Sequence, residues 1–435
     1  MSNTFQEKLI QRLNAIHAQD SIKKVFVPFQ HELTLKMLNS CSSTSKVLIF
    51  SDIGFITMYR KLFDVKNLTF VCHNKELYEI ALRLEINSIF VPYEDVGDFL
   101  KNLYTNNGKD YNLSIMDFDV IIGNPPYNGI PRKDIPKEFD KFLETGYQTY
   151  FPFIALAEKL KPGAKLTYIV PNKWLSDKQS QSLRDELFKL GKLNYVQVQQ
   201  QPEEWNNVAK TGSVTIFEFE RGKETHNNDI VLTHDNRIPN IMCEIEKSIY
   251  QKIETKSKTY EKITFFPGCN IQIVDDNVEK QRYIEYHGKE QFDKIKYSSK
   301  FDVYINQAKQ ECKKFLIYPE FETAPFKITG KNPNRVRIPV KVVDPMPIYG
   351  TYVIVPTTTP EQFKTLLECN VAKFMWRMFF TNKHFATTLS GLFPNIVSDL
   401  SENFDNQEIY KFFNLTQEEI EHIEKLAKIG CICDL

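Results

Sequence analysis

Over its first half the chain alternates short apolar runs with stretches of helical period. KVLIF at Lys46–Phe50, LTFVC at Leu68–Cys72, the run Ser88–Val91, FDVIIG at Phe118–Gly123, KLTYIV at Lys165–Val170, Leu193–Val198 and SVTIFEFE at Ser213–Glu220 each read as strands. Short continuous apolar runs bounded by turn-formers have the character of buried strands. Thr4–His17, Ile56–Phe63, Lys75–Leu84 and Phe151–Leu160 instead space their apolar residues for one face of a helix, and Lys161-Pro162-Gly163 stops the last. Strands separated by helices imply a mostly parallel, doubly wound sheet. Ligands of such sheets bind beyond the carboxyl ends of the strands, so chemistry is expected in the loops after Phe50, Cys72, Val91 and Ile122.

Past the polar stretch Gly222–Asn228 the periodicity weakens and proline-rich breaks appear, as at Lys331-Asn332-Pro333-Asn334 and Asp344-Pro345-Met346-Pro347. A chain of 435 residues is too long for one ordinary domain. The pattern predicts an α/β domain over 1–225, an α+β region over 226–400 and a helical tail over 401–435. Thr416 and Glu419 have the spacing of a capping box that starts a terminal helix.

Charge changes the picture only locally. Lys+Arg and Asp+Glu are equal at 55 each, which argues against a simple charge-driven coat for nucleic acid. Yet 327–383 carries nine Lys/Arg against three Asp/Glu, and 399–435 the reverse. The basic window is interleaved with Tyr349, Tyr352, Phe374, Trp376, Phe379 and Phe380. As a whole it is compatible with a nucleic-acid groove, although each aromatic taken singly reads as core. No apolar run approaches the ~18 residues of a membrane span, and Met1–Asp20 lacks the apolar centre of a signal peptide. The eight cysteines are scattered without a CxxC pair, which reads as free thiols in a reducing cytosol. Cys431 and Cys433 are the only pair close enough in sequence to suggest a metal contact, and it is the less favoured reading.

The sharpest signal is Asp119-Val120-Ile121-Ile122-Gly123-Asn124-Pro125-Pro126-Tyr127, an apolar strand ending in Asn-Pro-Pro-Tyr. Two prolines lack N–H donors and lock the backbone. The Pro125 carbonyl is left free to accept, and the Asn124 side-chain oxygen stands next to it. Two fixed acceptors suit an exocyclic –NH2, and Tyr127 offers a flat face for the ring that bears it.

FDVIIGNPPYNG resembles the catalytic motif of the S-adenosylmethionine-dependent amino-methyltransferases, above all the N6-adenine DNA methyltransferases. Phe26-Val27-Pro28 through Leu38 resembles the element preceding their cofactor fold, VPYEDVGDFL at Val91–Leu100 their acidic-Phe motif, KPGAKLTYIVPNKWL at Lys161–Leu175 the stretch after the catalytic motif, and TGSVTIFEF at Thr211–Phe219 their closing hairpin. The order of motifs is that of the gamma group. The resemblance implies a Rossmann-like doubly wound methyltransferase sheet followed by an α+β target-recognition region. It implies catalysis by Asn124, Pro125, Pro126 and Tyr127, and S-adenosylmethionine held by Pro28, Phe50, Asp52, Gly54, Asn74, Asp98, Phe99 and Asn124. Lys331, Arg335, Arg337 and Lys341 are the candidate DNA contacts, and Lys173 and Trp174 are candidates for the edge of the site. Partners implied are duplex DNA and a restriction endonuclease counterpart, with no membrane, for a monomer or homodimer in the cytoplasm of a bacterial or phage-infected cell.

Two departures stand out. The cofactor loop is Ser51-Asp52-Ile53-Gly54-Phe55, with one glycine where the family is glycine-rich, and His73-Asn74 stand where an acid is expected for the ribose. They keep open a DNA-binding subunit that has lost its cofactor. Because the Asn-Pro-Pro-Tyr motif also serves enzymes acting on RNA or on a protein glutamine, those substrates remain alternatives.

Overall fold

The structure is a computed structural model. It describes residues 37, 41–50, 64–127, 130–200, 213–222, 230–233, 236–241, 243–267, 300–319, 341–345, 352–379 and 390–428. The helices expected at 4–17 and 56–63 lie outside the described residues, as do Pro28, Asp52, Gly54, Lys331, Arg335, Arg337, Cys431 and Cys433. The backbone divides into two compact units, Met1–Pro239 and Asn240–Leu435. Residues 226–239 thus go with the first unit, and the C-terminal helices go with the second.

In the first unit the strands and longer helices run β1 (Val47–Phe50), β2 (Leu68–Cys72), α1 (Lys75–Arg83), β3 (Asn87–Phe90), α2 (Val96–Asn106), β4 (Val120–Gly123), α3 (Phe151–Ala155), β5 (Lys165–Pro171), α4 (Gln181–Leu190), β6 (Gly191–Gln200) and β7 (Ser213–Arg221), with shorter helical turns between them. The strands form one sheet in the order β3-β2-β1-β4-β5-β7-β6. All neighbours pair in parallel except β7, which is antiparallel to both β5 and β6. This is the expected mostly parallel, doubly wound methyltransferase sheet with its closing hairpin.

The apolar runs explain the centre of the sheet. Every residue of β1, β2 and β4 is buried, because both faces are covered. Alternation sorts their side chains into two cores. Leu48, Phe50, Val71 and Ile121 join one. Val47, Ile49, Phe70, Val120 and Ile122 join the other. By contrast β3, with Asn87 and Ser88, is partly exposed at the sheet edge. Asp119 ties the amino ends of β1 and β4 together: it accepts from the Lys46 N–H at 2.9 Å and pairs with Lys161 at 2.7 Å. Burial pushes its carboxyl up, but Lys161 and the Lys46 N–H outweigh that and leave it below its ordinary value.

The second unit is α+β, as expected. Its described elements are α5 (Glu244–Ser257), β8 (Phe266–Pro267), α6 (Lys300–Gln310), β9 (Lys314–Pro319), β10 (Lys341–Val343), β11 (Tyr352–Thr357), α7 (Pro360–Glu368), α8 (Asn370–Met378), α9 (Asn406–Phe412) and α10 (Gln417–Lys428). The four strands pair antiparallel in the order β10-β9-β11-β8. Phe374, Trp376 and Phe379 are buried core residues at and just after α8, so they supply no stacking face to a groove. Arg377, one cation of the basic window, is buried and paired with Glu246 at 3.7 Å.

The capping box forms as the spacing predicts. The Thr416 N–H donates to Glu419 Oε2 at 2.7 Å, and the Glu419 N–H donates to Thr416 Oγ1 at 3.3 Å. Glu419 also accepts from Ser248 and Lys252, both at 2.7 Å, which ties α10 to α5. Thr416→Ala is expected to lower stability by about 1 kcal/mol, the ordinary worth of a cap. Denaturant unfolding followed by helix signal measures it.

Candidate active site

The sheet order turns at β1. The chain leaves β3 on one side and re-enters as β4 on the other, which opens a crevice at the carboxyl ends of β1 and β4. Phe50 ends β1 and pairs with Gly123, which ends β4. A Cβ on Gly123 would stand 2.3 Å from the Phe50 carbonyl oxygen, so only glycine allows the two strands this approach. The Asn124 N–H then donates to the same Phe50 oxygen at 3.2 Å, and the chain leaves the sheet.

The four motif residues that follow are all buried. Asn124 is 4% exposed, and its Oδ1 has no hydrogen-bond partner among the described residues. Nor does any backbone N–H of the described residues donate to the Pro125 carbonyl. Leaving a buried carbonyl unsatisfied costs about 1–3 kcal/mol, so such an atom calls for an explanation. Tyr127 sits in the core that includes Ile122, Ile169 and Val214, with its hydroxyl donating to the Ile169 carbonyl at 3.3 Å. Its ring meets Tyr150 edge-on, with centroids 6.3 Å apart.

The cofactor candidates divide into two kinds. Phe50 and Phe99 are fully buried and meet edge-on at 6.2 Å. Their side chains belong to the core beside Phe153 and Tyr111, while the Phe50 carbonyl accepts from the Asn124 N–H. Asp98 is exposed in the first turn of α2. Asn74 is the N-cap of α1, its Oδ1 accepting from the Leu77 N–H at 3.3 Å. At the far edge Trp174 is fully buried and packs on Phe217 with centroids 4.6 Å apart. The Lys173 ammonium is engaged by Gln179 at 3.1 Å and Asp177 at 3.5 Å. Lys341 opens β10 in the second unit.

Residue type alone marks Gly123 only as a strand end, although a glycine directly before Asn-Pro-Pro is the signal of a close backbone approach. In sequence His73 is a departure from the family pattern; in the structure it is a participant. It follows β2 directly, and its Nδ1 lies 2.9 Å from the Val91 carbonyl, linking the carboxyl ends of β2 and β3. Burial lowers its pKa to about 4, against the weaker pull of that carbonyl. The unfolded imidazole takes a proton near 6.5 and the folded one only near about 4. Between these values the unfolded state holds more protons, so stability falls as pH falls. The unfolding free energy is expected to drop across this window by at most about 3 kcal/mol, and His73→Gln should flatten that part of the profile.

A family model for the Eco57I restriction-modification methylase matches residues 55–201. No curated protein sequence matches the chain. Among solved structures it is similar to the type IIG restriction endonuclease BpuSI, at 11% identity and a TM-score of 0.41, over 96% of this chain and 63% of that one. It is also similar to a modification subunit of a type I restriction enzyme from Vibrio vulnificus, at 16% identity and TM-score 0.33, over 48% of this chain and 49% of that one. A class I S-adenosylmethionine-dependent methyltransferase structure from Listeria monocytogenes matches at 16% identity and TM-score 0.33, over 51% of this chain and 67% of that one. The chain thus spans less than two thirds of BpuSI. The match to the Eco57I restriction-modification methylase model thus takes in most of the described sheet and the Asn-Pro-Pro-Tyr corner.

Proposed function

We propose that this chain is a site-specific DNA methyltransferase that moves a methyl group from S-adenosylmethionine to the N6 amine of an adenine turned out of duplex DNA. The observation that carries this reading is the orphaned Asn124 Oδ1, buried at the sheet's switch point beside an unspent Pro125 carbonyl. An amine with two N–H donors satisfies both acceptors at once. A base inside a duplex cannot reach such a corner, so it must be flipped out at a cost of a few kcal/mol of unstacking.

The residues present fit S-adenosylmethionine in part: the orphaned Asn124 oxygen, the exposed Asp98 and the His73-Asn74 turn all follow carboxyl ends of parallel strands. When bound, the cofactor supplies an electrophilic methyl group on a sulfonium. Asn124 and Pro125 hold the amine by its hydrogens and raise electron density on its nitrogen. The proline lock keeps both oxygens in place, so no reorganisation is spent at the moment of transfer. The Tyr127 ring is buried in the core and bonded to Ile169, so it serves as the stacking face only when entry of the base uncovers it. No base of near-neutral pKa is needed, because the amine can release its proton after transfer. Within 226–400 we assign target recognition, with Lys331, Arg335, Arg337 and Lys341 as phosphate or base contacts. A restriction endonuclease activity on a partner or on further sequence accords with this role.

Expression in a methylation-free host, followed by sequencing for N6-methyladenine, tests activity and target site together. Purified chain with labelled S-adenosylmethionine and duplex DNA, RNA or protein separates the substrates. Label on RNA or protein alone would overturn the DNA reading. Failure to bind S-adenosylmethionine, with or without DNA, would replace it by that of a DNA-binding partner subunit.

A further inference from the structure

A second constellation, outside the candidate active site, lies in the second unit. Cys243 is the N-cap of α5, Glu246 lies in the first turn of the same helix, and His422 stands on α10. The Cys243 sulfur, a Glu246 oxygen and a His422 nitrogen all lie within 4.8 Å of one another. Glu246 is 2% exposed, whereas Cys243 is exposed and its thiol can turn. His422 Nε2 is 3.5 Å from Glu246 Oε1. That is longer than the ~2.7–3.2 Å of a good hydrogen bond. It is close to the separation that a tetrahedral zinc imposes, since Zn–N and Zn–O bonds of about 2.0–2.2 Å set the two ligand atoms roughly 3.3–3.5 Å apart.

We infer that Cys243, Glu246 and His422 form a binding site for a zinc-class divalent metal that clips the start of α5 to α10. Ligand chemistry selects the ion. One thiolate, one imidazole and one carboxylate suit zinc, whereas calcium and magnesium would need more oxygen donors. Three protein ligands leave the fourth position to water. Arg377, 3.7 Å from Glu246 Oε1, orients the carboxylate from outside the metal's shell. The clip joins helices far apart in sequence and adds to the Lys252–Glu419 pair between the same two elements.

Cobalt(II) titration of the full chain, stripped beforehand with a chelator, tests the site. One equivalent should bind with a thiolate-to-cobalt absorption band, unchanged in a Cys431→Ser/Cys433→Ser variant. Cys243→Ser should abolish the band. His422→Gln should weaken binding by at least about tenfold, since even outer-shell partners are worth 10–100-fold. Zinc should raise the unfolding midpoint of the native chain but not of either variant. Absence of stoichiometric cobalt binding, or a band and zinc stabilisation that survive Cys243→Ser, would overturn the proposal and leave an ordinary ionic cluster around Arg377.

Discussion

Asn124→Ala is expected to lower methyl transfer by about a hundred- to a thousandfold while the unfolding midpoint stays level or rises slightly. The two halves of that result have one cause. In the free chain Asn124 Oδ1 bonds to nothing among the described residues, so removing it breaks no native hydrogen bond there. It removes a buried acceptor that costs about 1–3 kcal/mol to leave unsatisfied. Once an amine is in place the same atom becomes a preorganised partner of the reacting nitrogen, and single groups of that kind are worth about 10²–10³ in rate. The backbone N–H that fastens this corner to Phe50 is untouched by the substitution. Parallel assays of label transfer and thermal unfolding decide the matter. A folded Asn124→Ala protein with native methylation would remove the residue from the mechanism, and a strongly destabilised one would show a structural role instead.

Gly123→Ala, one residue earlier, is expected to act in the opposite sense, on stability first. The new methyl group would lie 2.3 Å from the Phe50 carbonyl oxygen and 3.0 Å from both the Phe50 carbonyl carbon and its Cβ. Gly123 is held on its other side by its pairing with Tyr168 of β5, so β4 has no free direction in which to retreat. The cost should reach about 3 kcal/mol, the upper end for overpacking, because backbone rather than a flexible side chain must yield. Activity should fall as well. Asn124 follows directly, and a misplacement of about 1 Å at a reacting group can cost a hundredfold. Denaturant unfolding and methylation by the residual folded protein measure the two losses separately. Native stability in Gly123→Ala would mean that β1 and β4 separate more easily than their close approach implies.

The contrast with α4 shows what the sequence pattern concealed. Gln181–Leu190 was not legible as a helix, because Arg184 interrupts its apolar face beside Leu183 and Leu187. The structure buries Arg184 completely and spends its guanidinium on the carbonyls of Trp174 and Asp177, at 2.8 and 2.9 Å, and on Gln181 at 2.8 Å. A buried, hydrogen-bonded cation is indistinguishable in sequence from a solvated one. The helix α2 was likewise read only through its Asp98-Phe99 pair, yet it continues to Asn106. Similarly, Phe151–Leu160 reads as one helix but changes after Ala155 to a tighter turn over Leu156–Lys159, all of it covering the core.

The strands follow from local composition, since runs such as VLIF and VIIG have no polar face to offer water, and with them follow the parallel sheet and the place of Asn-Pro-Pro-Tyr at its carboxyl edge. The Thr416–Glu419 cap follows too, because it needs only local spacing. Tertiary structure decided what depends on residues distant in the chain. It set Phe50 and Phe99 against each other in the core, brought Cys243 and Glu246 to His422, and left the Asn124 oxygen buried with no partner among the described residues. Local pattern fixes which residues avoid water, but which polar atom remains unsatisfied follows only from the full set of neighbours that packing supplies.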